Sequence, residues 1–116
     1  MSIIRHEPGP ILSLAVEHGN TVYLAGVVAK NVKADIKGQT EEVLAEIDRL
    51  LAKAGSGKSK VLSATIWVTD IRNRAPMNEV WQKWVDPKNM PVRACVEAKL
   101  ADPAGLVEIM VIAAKD

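Results

Sequence analysis

Cysteine is nearly absent: Cys95 is the only one in 116 residues. This excludes an internal disulfide and any cysteine-based metal framework, and it fits a reducing compartment. The two histidines, His6 and His18, show no metal-ligand spacing, so no metal is expected. An excess of one charge is also missing. The 15 Lys and Arg stand against 14 Asp and Glu, a formal net charge of +1, which creates no field to recruit polyanions. Lys30, Lys33 and Lys37 are interspersed with Asp35, no arginine-rich or aromatic-plus-basic run occurs, and nucleic acid is not an expected partner. No run of about 20 apolar residues exists, and the first residues lack a long apolar stretch ending in a small-residue cleavage site. A cytosolic protein with no membrane anchor is therefore expected. Internal repeats and low-complexity segments are missing too, which argues against a solenoid or a linker.

The length suits a single domain over residues 1–116. Folding would hide roughly two thirds of the unfolded surface, enough for a core of modest stability that oligomerisation would help. Residues 11–16 and Thr21–Leu24 are β-rich runs around Glu17-His18-Gly19-Asn20, a turn sequence, and read as a hairpin. Gly26 follows its end, and the Lys-rich residues 29–37 read as a loop. Over residues 39–54, Val43, Leu44, Ile47, Leu50, Leu51 and Ala54 recur at steps of three and four. That pattern predicts an amphipathic helix, with early acids, Lys53 late and Gly55 as its cap.

Residues 60–69 alternate Leu62, Ala64, Ile66 and Val68 with Ser63, Thr65, Trp67 and Thr69, as expected of a strand with one buried face. Asn73 and Pro76 fit the start of a second helix over residues 74–85, which turns Met77, Val80, Trp81 and Trp84 toward the core. Pro87 and Pro91 bracket a loop. Val92, Ala94, Val96 and Ala98 then alternate with Arg93, Cys95, Glu97 and Lys99. After a turn at residues 102–105, residues 106–114 are apolar except for Glu108, so the last strand should be covered on both sides. The order ββ-α-β-α-ββ predicts an α+β fold, a mixed sheet with two helices on one face. Trp67, Thr65, Cys95 and outward residues of the last strand are expected on the other face, as an apolar patch fit for subunit contact.

Five features bear on chemistry. Arg93 follows Pro91 by two positions, and its planar fork suits a carboxylate; a local ion pair with Glu97 is the bland alternative. Glu108, the lone ionisable group of its strand, is either salt-bridged, for instance to Arg93 or Lys99, or it orients water or accepts its proton. Cys95 is either a buried inert thiol or a nucleophile, and no histidine spacing marks an activating base. The segment at residues 55–59 ends like a phosphate loop but follows a helix and lacks the full spacing, so it reads as an ordinary loop. Trp81 and Trp84 suit core and interface anchoring better than base stacking.

Pro91-Val92-Arg93-Ala94-Cys95-Val96-Glu97, Leu100 and then Val107-Glu108-Ile109 resemble the C-terminal signature of the RidA/YjgF family. Supporting matches are Tyr23-Leu24-Ala25-Gly26, Gln39-Thr40, Leu51-Ala52-Lys53-Ala54-Gly55 and Thr65-Ile66-Trp67-Val68-Thr69-Asp70. The resemblance implies a chorismate-mutase-like fold, a homotrimeric barrel with clefts between subunits, and hydrolysis of reactive enamine or imine acids to 2-oxo acids and ammonia. By the same resemblance Arg93 would bind the substrate carboxylate, the Cys95 carbonyl would accept from the imine nitrogen or water, and Glu108 would position the attacking water. Gly26, Val27 and Trp84 would line the cleft, and no cofactor would be required. The chain departs from the family's pattern in two places. Gly9-Pro10 is followed by Ile11 where a Tyr is usual, and Ala25-Gly26-Val27 replaces Ser-Gly-Gln, so the expected pocket is more apolar. A trimer that binds a 2-oxo acid without turning it over is the alternative reading, and RNA cleavage has little electrostatic footing.

Overall fold

The computed structural model describes residues 1–115; Asp116, the last residue of the expected domain, lies outside them. Seven strands and two α-helices follow in the order β1 (Ile3–Pro8), β2 (Ser13–His18), β3 (Thr21–Leu24), β4 (Val27–Val28), α1 (Ile36–Lys53), β5 (Val61–Val68), α2 (Arg74–Trp84), β6 (Val92–Glu97) and β7 (Val107–Ala114). They form one mixed sheet, β1-β2-β3-β7-β5-β6, with β4 pairing with β7 beyond the end of β3. Only β5 and β6 run parallel, as strands joined through a helix can. The α+β expectation holds.

The first helix starts three residues before the expected position. Asp35 caps it by accepting the Gly38 N–H at 2.8 Å. Gln39, expected at the opening of the helix, is instead fully buried one turn in. Its Oε1 accepts the Leu106 N–H at 2.8 Å and its amide donates to the Ala34 carbonyl at 3.1 Å, which ties α1 to the start of β7. At the other end Gly55 takes φ +78°, and the Gly55 and Ser56 N–H groups bond back to Ala52 and Leu51 at 3.1 and 2.8 Å. This is the left-handed closure for which glycine is favoured. Val43, Leu44, Ile47, Leu50 and Leu51 pack the helix onto Val22, Ile66, Val107, Ile109 and Val111 of the sheet.

The amino-terminal strand has no counterpart in the sequence reading. β1 pairs with β2 as an edge strand whose Ile3 and Ile4 stay exposed, so it lacks the alternation that marks a half-buried strand. The first hairpin strand begins at Ser13, not residue 11: Ile11 is 90% exposed in the turn after Gly9. Of the expected loop at residues 29–37, residues 29–35 are a loop and the last two begin α1, and Val27 and Val28 precede it as a short strand.

Strand β5 corrects a face. Leu62 is 51% exposed because the β5–β7 register slips between Val61 and Ser63, so Val61 takes the inward place and Leu62 points outward. A one-residue slip inverts which side chain is buried. β6 corrects another. Register puts Arg93 and Cys95 beside Ala64 and Ile66 on the helix side, whereas Val92, Ala94 and Val96 share the open side with Ser63, Thr65 and Trp67. Val92 is 72% exposed. The apolar phase of this strand is thus the outer one, and Cys95 does not belong to the open patch. That patch instead joins Val16, Tyr23, Val28, Thr65, Trp67, Met110, Ile112, Val92 and Val96 across the face away from the helices.

Candidate functional site

Arg93 sits half-buried on the edge strand β6, under α2. Its guanidinium carbon lies 5.3 Å from the centroid of the Trp81 ring. Among the described residues no acid pairs with it. Glu97, its expected local partner, accepts the Ile71 N–H at 2.8 Å instead. The guanidinium therefore rests on an aromatic face with its N–H donors uncommitted, an arrangement that can receive a planar anion.

Cys95 follows two positions on along the same face, half-buried against the core and free of any disulfide. Neither histidine approaches it, because His6 on β1 and His18 on β2 lie five and four strands across the sheet. The arrangement offers no base for a thiol nucleophile.

Glu108 projects from β7 on the opposite face, beside Trp67 and Val28. It makes no ion pair with Arg93 or Lys99 among the described residues. In register Arg93 stands level with Val111, through Ala64. The two groups are thus separated by two strand spacings, about 10 Å, and by about 10 Å along the strand, on different sides of the sheet. A single protomer cannot present both to one small ligand.

Gly26 lies directly against Glu108: the carboxylate occupies the place a Cβ on residue 26 would take. Val27 is buried against Ile109 on the helix side. Trp84 is elsewhere. Its indole N–H donates to Asp48 Oδ1 at 3.0 Å, and it lines a groove of about 360 Å³ between α1 and α2 with Lys37, Asp48 and Lys83. The structure therefore gathers Arg93 with Cys95, with Trp84 behind Trp81 beside them, and Gly26 with Glu108, but within one protomer it does not bring the two groups together.

Three features were not read from the sequence. The first is Trp81 as the support of Arg93; the alternation of β6 hid it by suggesting that the Arg93 face pointed away from the core. The second is Asn78, one turn before Trp81 on α2, whose buried Oδ1 finds no hydrogen-bond partner among the described residues. The third is Glu17, 5% exposed, which accepts from His6 Nε2 and from Lys115 Nζ, both at 2.5 Å. These bonds hold its carboxyl below the ordinary range, with Lys115 the larger cause. Its sequence signal was inverted, since the more apolar phase of β2, Leu14 and Val16, is not the most buried one.

The family model for endoribonuclease L-PSP matches residues 6–115. A RutC family protein of Haemophilus influenzae is 46% identical over 114 residues, covering 97% of this chain and 98% of that protein. The chain belongs to the YjgF/RutC family. The RutC family protein YoaB of Escherichia coli is 43% identical over 98% of this chain and 99% of its own length. A solved YjgF family structure from Neisseria meningitidis superposes with a TM-score of 0.97 at 43% identity, covering 100% of this chain and 97% of that one. The mixed sheet with two helices is therefore the YjgF/RutC fold, and the resemblance seen around Arg93 extends through the whole sheet. Among the described residues no helix is long and apolar enough to cross a membrane.

Proposed function

We propose that this protein hydrolyses reactive 2-imino or enamine acids to 2-oxo acids and ammonia, with Arg93 holding the substrate carboxylate in a cleft between subunits of a homotrimer. The observation that carries this reading is the guanidinium of Arg93, without an acid partner among the described residues and propped on Trp81 at a sheet edge. An arginine without an acid partner at a half-buried site is a costly arrangement unless an anion completes it.

The chemistry asks little of the protein. An imine carbon is already electrophilic. Water adds across the C=N bond, the adduct expels ammonia, and the carbonyl of the 2-oxo acid remains; a fixed carboxylate and a placed water supply orientation. Glu108 positions that water. Because it and Arg93 lie on opposite faces of one sheet, they serve one ligand only if neighbouring protomers contribute one each, which supports a cleft formed by assembly. The apolar open face supports the same arrangement, since a surface bearing Val92, Val96, Tyr23 and Met110 favours contact with another copy. A reduced Cys95 and near-neutral charge fit work in the cytosol on small acids, without nucleic acid.

The test is direct. An amino-acid oxidase generates the imine, and purified protein is expected to accelerate ammonia release over buffer, with Arg93→Ala abolishing the gain. No acceleration by the intact trimer would refute the catalytic role.

A second reading, a trimer that binds a 2-oxo acid without turnover, is favoured by one observation. Ala25-Gly26-Val27 offers no side-chain hydroxyl or amide beside Glu108. Measurable affinity for 2-oxo acids with no turnover would select it.

A further inference from the structure

We infer that Trp81 is a positioning residue for Arg93, holding the guanidinium in the orientation in which it receives a carboxylate, and that it is itself held through Trp84 by Asp48. The inference rests on the anion-binding reading of Arg93 and deepens it.

A line of contacts runs through the helix layer to the edge of the sheet. Asp48 of α1 accepts the Trp84 indole N–H at 3.0 Å. Trp84 and Trp81, one turn apart on α2, have ring centroids 5.3 Å apart with planes tilted by 46°. Trp81 is 6% exposed, so core packing sets its ring. Arg93 then lies over that ring at 5.3 Å. Each member has few remaining freedoms except the last.

The geometry divides the guanidinium between two uses that do not compete. The cation stands over the indole face and no acid takes its N–H bonds, which lie in its own plane. A carboxylate binding in that plane meets two parallel donors, and the ring behind prevents the long side chain from swinging away. An acid placed beside Arg93 would also orient it, but would occupy the donors the ligand needs. Glu97 is close enough in sequence to do so and is instead engaged with the Ile71 N–H. Trp81 thus orders the arginine without neutralising it.

The test uses full-length wild type, Trp81→Phe, Trp81→Leu and Arg93→Ala, with pyruvate as the probe anion. In the wild type the Arg93 side-chain N–H resonance, assigned by its loss in Arg93→Ala, is expected upfield of the other arginines through the indole ring current. It should move downfield in Trp81→Leu. Calorimetry should show Trp81→Leu weakening pyruvate by about five- to thirty-fold, the range of a partly desolvated cation–π contact, with Trp81→Phe recovering most of it. In turnover the loss should fall on KM, with kcat within about threefold, since the arginine binds the carboxylate before and during reaction. Adding Trp81→Leu to Arg93→Ala should cost nothing more. An Arg93 resonance without a ring-current shift overturns the inference even if the leucine variant fails to fold. So does wild-type pyruvate affinity in a folded Trp81→Leu when Arg93→Ala has lost binding. If pyruvate binds equally to wild type and Arg93→Ala while the ring-current shift is present, the anion-site reading fails and Trp81 is an orienting contact without that role.

Discussion

The carboxylate of Glu108 occupies the space in which a Cβ on Gly26 would stand, so the residue between β3 and β4 and the one acid of β7 are fitted to each other across the sheet. Gly26 does not take a positive φ among the described backbone angles, so its lack of a side chain serves proximity to Glu108 and not a turn. Gly26→Ala should therefore force Glu108 to rotate, at a cost of about 1 kcal/mol, or a fall in Tm of about 3–6 °C. Gly26→Ala combined with Glu108→Ala should lose less than the sum of the two single changes. Thermal unfolding of the four proteins measures this coupling. Additive losses would show that the two residues do not constrain each other.

Arg93→Lys retains the charge but replaces a planar fork with a compact ammonium that cannot make two parallel bonds from one rigid plane. It should bind a 2-oxo acid about tenfold more weakly than wild type while still binding better than Arg93→Ala. Titration calorimetry of the three proteins orders them, and equal affinity for Lys and Arg would mean that only charge matters.

Val92→Glu and Val96→Glu place carboxylates on the open sheet face without touching the helix-side core. On the proposed trimer both variants should keep their secondary structure by circular dichroism but dissociate, because a carboxylate from each protomer buried at the interface is costly to desolvate. Sedimentation velocity reads the outcome. A variant that stays assembled would place the interface elsewhere.

Glu17 makes a pH-dependent contribution to stability. Its carboxyl is held below the ordinary carboxylate range by hydrogen bonds from Lys115 and then His6. A group with a depressed folded pKa stabilises fully above its unfolded value, and that contribution is lost as pH falls through the folded value. Stability should accordingly decline below about pH 4.5, and the decline should be shallower in Glu17→Gln. That variant should also cost about 1.5–3 kcal/mol at pH 7, the range for hydrogen bonds to charged groups. Denaturant titrations from pH 7 to pH 3 give both numbers, and parallel curves for the two proteins would remove Glu17 from the acid response.

Most elements were legible because local pattern and burial agree where an element has one covered face. The period of α1 from Val43 to Ala54 and the alternation of Ala64, Ile66 and Val68 each reflect such a face, whereas β7, apolar except for Glu108, was expected to be covered on both sides and within one protomer buries only its Val107, Ile109, Val111 and Ala113 face. The site was legible as a set of residue types: an arginine after a proline, an acid alone in an apolar strand, a glycine at a strand end. The edge strand β1 was not legible, because one row of partners and exposed isoleucines leave no alternation to read.

The sequence by itself determined which segments are helix or strand over most of the chain and which residues could carry charge into a buried layer, since backbone period and side-chain chemistry are local properties. Tertiary structure alone decided which face each strand turns inward. In β6 both phases are acceptable in the sequence, and the register with β5 is what puts Arg93 beside Ala64 on the side where Trp81 lies. A slip at Val61 and Ser63 likewise turned Leu62 outward. The separation of Arg93 from Glu108 on opposite sides of one sheet follows from strand register, a relation among distant segments that no single stretch of sequence contains.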